Sequence, residues 1–277
     1  MNPIEAGLTL EEVLRMALLP PLEMRLFLER TLALTRVQLI TQSHRTLTEA
    51  EAHALSRLVT RRLAGEPVAY LLGEREFFGL SFKVDPSVLI PRPETELLVE
   101  LALDRLPAAG RLLDMGTGSG AIAVAIAHTR PDAVVHALDV SPAALATARG
   151  NAQRNGTTVH FLQSDWFAAL EDDAVFDLIV SNPPYIVAGD RHLAEGDLRF
   201  EPVNALTDHG DGLSALRILC QQTPAHLSAG GWLLMEHGYD QASAVRALLA
   251  QSGFEAIESW RDLAGIERVS GGRLASR

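Results

Sequence analysis

The rhythm of hydrophobic and polar positions changes twice along the chain. Residues 1–65 place apolar side chains at intervals of three and four, the spacing of short amphipathic helices. Residues 68–93 consist of extended segments separated by glycine turns, which predicts a β-hairpin with one buried face. Beyond Gly110, short apolar runs alternate with helical segments. The pattern therefore predicts a helical N-terminal part, a hairpin and an α/β domain.

Capping signals support the helical N-terminal part. Thr9 and Glu12 form a Ser/Thr-x-x-Glu capping box, whose side chains satisfy backbone N–H groups in the first turn of a helix. Thr48 and Glu51 form a second one. Two prolines at 20 and 21 separate the first two helices, because proline lacks the N–H group that a helix interior needs.

The alternation beyond Gly110 predicts a mostly parallel sheet covered by helices on both faces. The predicted strands are residues 111–114, 133–139, 159–162, 177–181 and 232–236, with a final extended pair at 255–261 and 267–274. The predicted helices are residues 120–129, 142–155, 213–227 and 241–252, and one more begins near 95. Sheets of this kind bind ligands beyond the carboxyl ends of their strands.

Composition places the chain among globular proteins. Of its 277 residues, 47% are hydrophobic and 21% charged, which disfavours disorder. The net charge of −11 disfavours a long nucleic-acid interface, because phosphate contacts need a basic face. Cys220 is the single cysteine, so no intrachain disulfide is expected. The sequence shows no signal-peptide pattern and no membrane-spanning apolar run, so a cytoplasmic protein without membrane contact is expected.

Polar side chains stand where the predicted strands end. Asp114, Asp139 and Asp165 mark the ends of three successive strands. Asn182 follows the next strand along the chain. Because the carboxyl ends of parallel strands meet at one edge of a sheet, we expect these four side chains to surround one ligand.

A glycine-rich loop follows the first of these strands. Residues 114–120 are Asp-Met-Gly-Thr-Gly-Ser-Gly, and the glycines permit a tight turn that lets a ligand approach the backbone at a helix N-terminus. Gly116, Gly118 and Ala121 also satisfy the dinucleotide-binding fingerprint. Asp114 favours S-adenosylmethionine instead, since a carboxylate repels pyrophosphate but attracts an ammonium or sulfonium group.

The next two strand ends fit the remainder of that ligand. Asp139 is placed to accept hydrogen bonds from both ribose hydroxyls. Asp165 offers an acceptor for the adenine amino group, and Trp166 offers an apolar surface for the adenine ring. The sequence therefore predicts an adenosylmethionine site.

The fourth strand end carries Asn-Pro-Pro-Tyr at residues 182–185. Proline cannot continue a strand ladder and holds the preceding residue extended, so the Asn182 side chain and the nearby carbonyls have fixed directions. Acceptors on Asn182 and Pro183 can hold the N–H bonds of a planar –NH2 group while the Tyr185 ring stacks on its face. They would point the nitrogen at a methyl donor and stabilise its growing positive charge. No strong general base is expected, because the proton can leave after methyl transfer.

The tetrapeptide resembles the Asn/Asp-Pro-Pro-aromatic motif of methyltransferases that act on adenine N6, cytosine N4 or the glutamine side chain. Further stretches extend the resemblance over nearly the whole chain. They are residues 65–70, 73–79, 89–96, 114–123, 181–186, 200–202, 205–206, 236–238 and 261–265. With them the chain resembles the peptide-release-factor glutamine N5-methyltransferase family (PrmC, formerly HemK). Ile266 departs from the asparagine usual in that family, which affects only the local loop.

The resemblance implies an α/β fold with a seven-stranded class I (Rossmann-like) methyltransferase domain at residues 94–277. A β-hairpin linker at 67–93 would join it to a small helical substrate-recognition domain at 1–66. The implied reaction transfers a methyl group from S-adenosyl-L-methionine to the side-chain amide nitrogen (N5) of the glutamine in the Gly-Gly-Gln motif of class 1 peptide chain release factors. The product of the donor is S-adenosyl-L-homocysteine.

The resemblance also implies which residues act. Those expected to bind the cofactor are Asp114, Gly116, Thr117, Gly118, Ser119, Gly120, Asp139, Asp165, Trp166 and Asn182. Those expected to bind the substrate glutamine are Asn182, Pro183, Pro184 and Tyr185. Catalysis is expected from Asn182, Pro183 and Tyr185.

Two other functions stay open. A DNA or RNA adenine-N6 methyltransferase would share the chemistry, although the acidic charge and the absence of a target-recognition domain count against it. A non-catalytic protein that binds adenosylmethionine as a structural ligand would not need the intact Asn182 motif.

The remaining polar candidates have simpler interpretations. His237 ends a strand and is interpreted as a structural histidine. His209, Asp211 and Glu201 lack metal-ligand spacing, so no metal is expected. Residues 187–206, rich in charge and close behind the motif, are interpreted as a lid or substrate loop.

Overall fold

The computed structural model describes residues 3–275, which form two compact units that meet between Gly73 and Glu74 in the sequence. The first unit is helical around a core of buried side chains that includes Leu10, Phe27 and Leu55. Its helices are α1 Leu10–Arg15, α2 Pro21–Leu32, α3 Arg36–Thr41, α4 Glu49–Leu63 and α5 Val68–Leu72.

Both predicted capping boxes are present. The Thr9 hydroxyl accepts a hydrogen bond from the Glu12 backbone N–H at 3.2 Å, and the Thr9 backbone N–H donates to the Glu12 carboxylate at 2.8 Å. Thr48 and Glu51 form the same reciprocal pair at the start of α4. A third box, which Thr35 forms with Gln38 at the start of α3, was not predicted.

Helix α5 corrects the expectation that the chain is extended from residue 68 onward. Pro67 precedes its first residue, where a missing N–H group costs little, and Gly73 ends it in the left-handed conformation with φ +74°. The structure therefore inserts one more helical turn before the hairpin, which consists of β1 Glu74–Phe77 and β2 Leu80–Lys83. The division into residues 1–66, 67–93 and 94–277 remains a prediction.

The predicted seven-stranded sheet is confirmed in the second unit. Its strand order is β5-β4-β3-β6-β7-β9-β8, in which β9 runs antiparallel to β7 and β8 and the other neighbours are parallel. The strands are β3 Arg111–Met115, β4 Val134–Asp139, β5 His160–Gln163, β6 Phe176–Ser181, β7 Leu227–Glu236, β8 Phe254–Arg261 and β9 Glu267–Leu274.

Helices cover both faces of the sheet, as predicted. Successive strand residues point to opposite faces, so Leu112 packs in one hydrophobic cluster and Leu113 in the other. The helices are α6 Glu96–Arg105, α7 Ala121–Thr129, α8 Pro142–Arg154, α9 Val203–Leu206, α10 Ser214–Gln222 and α11 Ala242–Gln251. Short 3₁₀ segments occur at Pro93–Thr95, Arg191–Ala194, Leu198–Phe200 and Thr223–Ala225.

The helix predicted over 213–227 is shorter in the structure. Helix α10 ends at Gln222, and Thr223–Ala225 forms a 3₁₀ turn around Pro224. Strand β7 then begins at Leu227 rather than at residue 232. Within residues 3–275, no helix combines the length and apolar character that crossing a membrane requires.

Gly120, which precedes α7, is expected to tolerate no side chain. Its φ is +82°, and a Cβ atom there would lie 3.1 Å from the Cβ of Ala148 in α8. Gly120→Ala should therefore lower the free energy of unfolding by about 2–4 kcal/mol, the sum of left-handed strain and overpacking. The matched control is Gly156→Ala, since Gly156 has φ +65° but open space around a Cβ.

Urea unfolding followed by tryptophan fluorescence measures both variants. The three tryptophans, Trp166, Trp232 and Trp260, all lie in the second unit, so the signal reports that unit. Equal losses of unfolding free energy in the two variants would show that the contact with Ala148 does not contribute to the destabilisation.

Candidate active site

A cavity of about 620 Å³ opens at the carboxyl ends of β3, β4, β5 and β6. The chain runs outward from β3 to β5 and returns to β6 on the other side of β3, which leaves a crevice at this switch point. The volume lies within the ~300–1,000 Å³ typical of small-molecule sites. The predicted site residues that line the cavity are Gly116, Thr117, Gly118, Ser119, Asp139, Asp165, Trp166, Asn182, Pro183 and Pro184.

Three predicted residues lie beside the cavity rather than in its lining. Asp114 is fully buried. Gly120 faces Ala148 of α8. Tyr185 lines a smaller cavity of about 60 Å³, which shares Asn182 with the larger one. The structure thus brings ten of the predicted residues to one cavity and leaves these three beside it, and their roles remain a prediction.

The glycine loop is held by its own backbone N–H groups. Those of Gly116 and Thr117 donate to the Leu138 carbonyl at 2.9 and 2.8 Å. The N–H of Gly118 donates to Oδ2 of Asp139 at 2.8 Å. A Cβ atom on Gly116 or Gly118 would meet nothing within 4 Å, so the loop surface borders open space. Because these N–H groups are already engaged, the loop is a poor cradle for a pyrophosphate.

Asp114 places a buried carboxyl group near the end of β3, directly before that loop. Its Oδ2 accepts a hydrogen bond from the Thr117 hydroxyl at 2.6 Å. Its Oδ1 has no hydrogen-bond partner among the described residues. Burial, with a smaller contribution from the charge of the neighbouring Asp139, raises the pKa of the carboxyl to about 7. A buried carboxylate with an unsatisfied oxygen favours a nearby cation or hydrogen-bond donor.

Asp139 combines a structural and a ligand-facing position. Its Oδ2 accepts from Gly118 and its Oδ1 accepts from the Ser141 N–H at 2.9 Å. Each carboxylate oxygen has further lone pairs, so both can accept a second hydrogen bond from a ligand in the cavity. Burial raises the pKa of Asp139 above its ordinary value.

The loop after β5 presents Trp166 to the cavity. Trp166 has φ +49°, a left-handed conformation that costs a bulky residue about 1–3 kcal/mol. The buried Ser164 compensates, since its hydroxyl donates to the Trp166 carbonyl at 2.6 Å and accepts from the Ala169 N–H at 3.0 Å. Asp165 is exposed at the rim. Ser164 lacks a motif that would have revealed it in the sequence.

The start of the Asn-Pro-Pro-Tyr segment is fixed to the centre of the sheet. The buried Ser181 hydroxyl donates to the Met115 carbonyl at 2.7 Å, which ties the end of β6 to the end of β3. The Gln241 side chain donates to the Tyr185 carbonyl at 3.0 Å and so holds the far end of the segment. The Asn182 side chain is half-buried between these two anchors.

A hydrogen-bond chain links the Asn182 side chain to β7. Asn182 Nδ2 donates to Thr95 Oγ1 at 3.2 Å. The Thr95 hydroxyl donates to Oε2 of Glu236 at 2.6 Å, and the Tyr185 hydroxyl donates to Oε1 of Glu236 at 3.2 Å. Burial raises the pKa of Glu236 to about 7 and raises the pKa of Tyr185. Thr95 and Glu236 occur in stretches that carry the family resemblance, but no role was predicted for them.

The segment behind the motif is pinned at both ends. The Ile186 N–H donates to the Leu206 carbonyl at 2.9 Å. Near the far end, the buried Glu201 carboxylate accepts from the Ile90 N–H at 3.0 Å and pairs with Arg92, which lines the cavity. Residues 187–206 therefore form an anchored loop at the cavity, and its role as a lid or substrate loop remains a prediction.

His237 has the contacts of a structural residue. It is fully buried, with Nδ1 2.9 Å from the Gly238 carbonyl and Nε2 2.8 Å from the Ser270 hydroxyl. Burial lowers its pKa, which favours the neutral ring.

The residues considered for a metal have separate partners: His209 bonds Asn204, Asp211 pairs with Arg217 and Glu201 pairs with Arg92. No group of three potential metal ligands occurs in the part of the chain that the structure describes.

Comparison with known proteins supports the fold. Residues 93–223 match the model of the methyltransferase small domain, and residues 8–73 match that of the PrmC N-terminal domain. The methyltransferase from Pyrococcus furiosus has a similar fold, with TM-score 0.55 and 20% identity over 79% of this chain and 99% of that chain. The release factor glutamine methyltransferase of Neisseria gonorrhoeae is 52% identical over 96% of this chain and 98% of its own length. That of Bordetella pertussis is 55% identical over 92% and 96%.

Together, the sheet order, the cavity at its switch point and the domain matches define a Rossmann-like class I methyltransferase. The long, high-identity matches give the particular family. The chain belongs to the release factor glutamine methyltransferase family.

Proposed function

We propose that this protein transfers a methyl group from S-adenosylmethionine to the side-chain amide nitrogen of the glutamine in the Gly-Gly-Gln motif of class 1 release factors. One observation carries the proposal: the glycine loop and the Asn-Pro-Pro-Tyr segment border the same cavity. A donor lying on the first and an amide held by the second would meet within it. The relatives that match nearly the full chain are named release factor glutamine methyltransferases.

The cavity has the donors and acceptors that adenosylmethionine needs. Asp139 has lone pairs for the ribose hydroxyls, and Trp166 offers a flat apolar surface for the adenine. Asp114 adds buried negative charge near the position expected for the methionine ammonium and sulfonium groups. Thr117, Gly118 and Ser119 would line the donor without filling its space. The engaged N–H groups of the loop argue against a dinucleotide.

Adenosylmethionine supplies an electrophilic methyl group on a positively charged sulfur. The chain's own residues supply orientation: Asn182 Oδ1 and the Pro183 carbonyl would accept the N–H bonds of the glutamine amide. They would direct the nitrogen toward the donor and stabilise the positive charge that grows on it. Pro184 and Tyr185 would hold the planar group from the side. The proton leaves after methyl transfer, so no side chain is assigned as a base.

The first unit is proposed to contribute to recognition of the protein substrate. The cavity is lined by residues of the second unit, so chemistry does not need the first. Helix α3 exposes Val37 and Ile40, each at 67% of its full surface. Residues three apart are neighbours on a helix surface, and contiguous exposed apolar patches mark sites of protein interaction.

Labelling of defined acceptors tests the proposed function. The purified chain is incubated with methyl-labelled adenosylmethionine and an unmodified class 1 release factor, its Gly-Gly-Gln variant with Gln→Ala, or duplex DNA. We expect label on the unmodified release factor and at least a 100-fold loss in the variant, which lacks the acceptor nitrogen. Label on DNA would instead identify an adenine methyltransferase. Cofactor binding without label on any acceptor would favour a non-catalytic protein.

A further inference from the structure

Glu236 is the buried end of the hydrogen-bond chain that begins at Asn182. It is the last residue of β7 and is 1% exposed. Strand β7 pairs with β6 so that Met235 lies opposite Ser181, which brings the next residues, Glu236 and Asn182, to the same level of the sheet. Glu236 does not line the cavity, so any effect on the reaction must act through its neighbours.

The direction of each hydrogen bond follows from the number of protons available. An ionised carboxylate only accepts, so the single hydroxyl proton of Thr95 points to Glu236 Oε2. Thr95 Oγ1 can then only accept from Asn182, which requires the –NH2 end of that amide. The Asn182 oxygen is thereby turned away from Thr95 and left free for the N–H group of a substrate.

The second oxygen of Glu236 acts on the aromatic residue of the same segment. Oε1 accepts the Tyr185 hydroxyl proton at 3.2 Å. Tyr185 and Asn182 are the two ends of the tetrapeptide, so one carboxylate fixes both of its functional side chains. Both orientations depend on long-range contacts, because Thr95 and Glu236 are far from the tetrapeptide in the sequence.

We propose that Glu236 is a positioning residue for methyl transfer, which acts through Thr95 and Tyr185 to keep the Asn182 oxygen facing the substrate amide. The inference rests on the proposed reaction and specifies how the acceptor site is oriented. Loss of this orientation should lower kcat at saturating cofactor and leave cofactor affinity intact.

Protonation of Glu236 should reverse the chain of donors. A neutral carboxyl can donate to Thr95, whose hydroxyl is then free to donate to Asn182 and draw the amide oxygen inward. The groups whose charges face Glu236 are Arg268, which favours its ionised form, and Glu94, which opposes it. With a pKa of about 7, Glu236 is ionised above that value, so kcat should rise with pH through about 7.

Glu236→Gln tests the inference, because glutamine has the shape of glutamate but carries an –NH2 donor in place of one of the two acceptor oxygens. We expect kcat to fall about 10- to 100-fold, the effect of a small misplacement of the reacting group, with KM for adenosylmethionine within about threefold of wild type. The acid limb of the kcat profile near pH 7 should disappear. Titration of Asp114, which is bonded to Thr117 of the glycine loop, could also give a pH dependence, but it would act on the KM for the cofactor. Measuring kcat at saturating cofactor therefore isolates the effect of Glu236.

Thr95 provides the second pair of variants. Thr95→Val keeps the shape without the hydroxyl and should lower kcat as Glu236→Gln does, whereas Thr95→Ser should recover most of that loss. The kcat of each variant is compared with the wild-type kcat on the acceptor that the wild-type protein labels. If the proposed substrate is wrong, the wild-type protein will label DNA instead of the release factor, and the comparison of variants can still be made there. Two results would overturn the inference: a wild-type kcat and pH profile in Glu236→Gln, or losses of cofactor affinity as large as the losses of kcat.

Discussion

Asn182→Ala is expected to lower kcat by at least 100-fold and up to about 1,000-fold, with little change in binding of S-adenosylhomocysteine. The substitution removes the acceptor that would hold the amide N–H and stabilise its developing positive charge. Removal of one such preorganised group typically costs about 10²–10³ in rate. The cofactor would keep its contacts with Asp139 and the glycine loop. Steady-state kinetics with a release factor and calorimetry with S-adenosylhomocysteine measure the two effects.

The matched control is Asn155→Ala. Asn155 is the residue that ends α8, where its side chain donates to the Ser81 and Asn151 carbonyls, and it does not line the cavity. This variant should retain wild-type kcat, which shows that loss of an asparagine as such is harmless. Turnover within threefold of wild type in Asn182→Ala would contradict the assigned role of the motif.

In contrast to Asn182→Ala, Asp139→Ala should cause a large loss of cofactor affinity. Both carboxylate oxygens already accept backbone N–H groups, from Gly118 and Ser141, and Asp139 lines the cavity. The variant would lose the acceptors for the ribose hydroxyls and release the glycine loop at the same time. Charge-assisted hydrogen bonds contribute about 1.5–3 kcal/mol each, so loss of two should raise the Kd for S-adenosylhomocysteine by about 100-fold or more.

Asp132→Ala controls for the loss of a carboxylate that holds backbone. Asp132 accepts the Ala109 N–H at 2.8 Å and pairs with Arg130, which holds the pKa of its carboxyl well below the usual range. It lies outside the cavity lining, and its removal should leave the Kd unchanged. An equal Kd in Asp139→Ala and wild type would assign the ribose to another residue.

Most helices and strands of this fold could be predicted from local sequence patterns. The strand and helix alternation beyond Gly110, and the capping boxes at Thr9 and Thr48, correctly predicted the elements. Errors occurred where a single residue changes the backbone: Gly73 ends an unpredicted helix, and Pro224 shortens α10. These depend on local conformational preferences that hydrophobic periodicity does not contain.

The site was predictable where its residues follow strands directly. Asp139 and Asn182 reach the cavity because parallel strands share one edge, a rule that the sequence pattern already implies. Thr95 and Glu236 could not be assigned in this way, since only the packing of α6 and β7 beside β6 brings them together. Ser164 belongs to the same group, because its role depends on the backbone conformation of Trp166.

After β5 the chain returns to the other side of β3 to form β6, and this change in strand order separates the two partners of the reaction. Most residues proposed for the donor follow β3, β4 and β5, whereas residues 182–185 follow β6 and Glu236 ends β7. Asn182 is expected to contact both partners, and Thr95 is the one acceptor-side residue that precedes β3. The two halves meet only where β3 and β6 pair. Substitutions after β6, other than at Asn182, are therefore expected to change the acceptor with less effect on donor binding than substitutions after β3 or β4. In evolutionary terms the sheet is modular, and a lineage can change what it methylates while inheriting unchanged how it binds the methyl source.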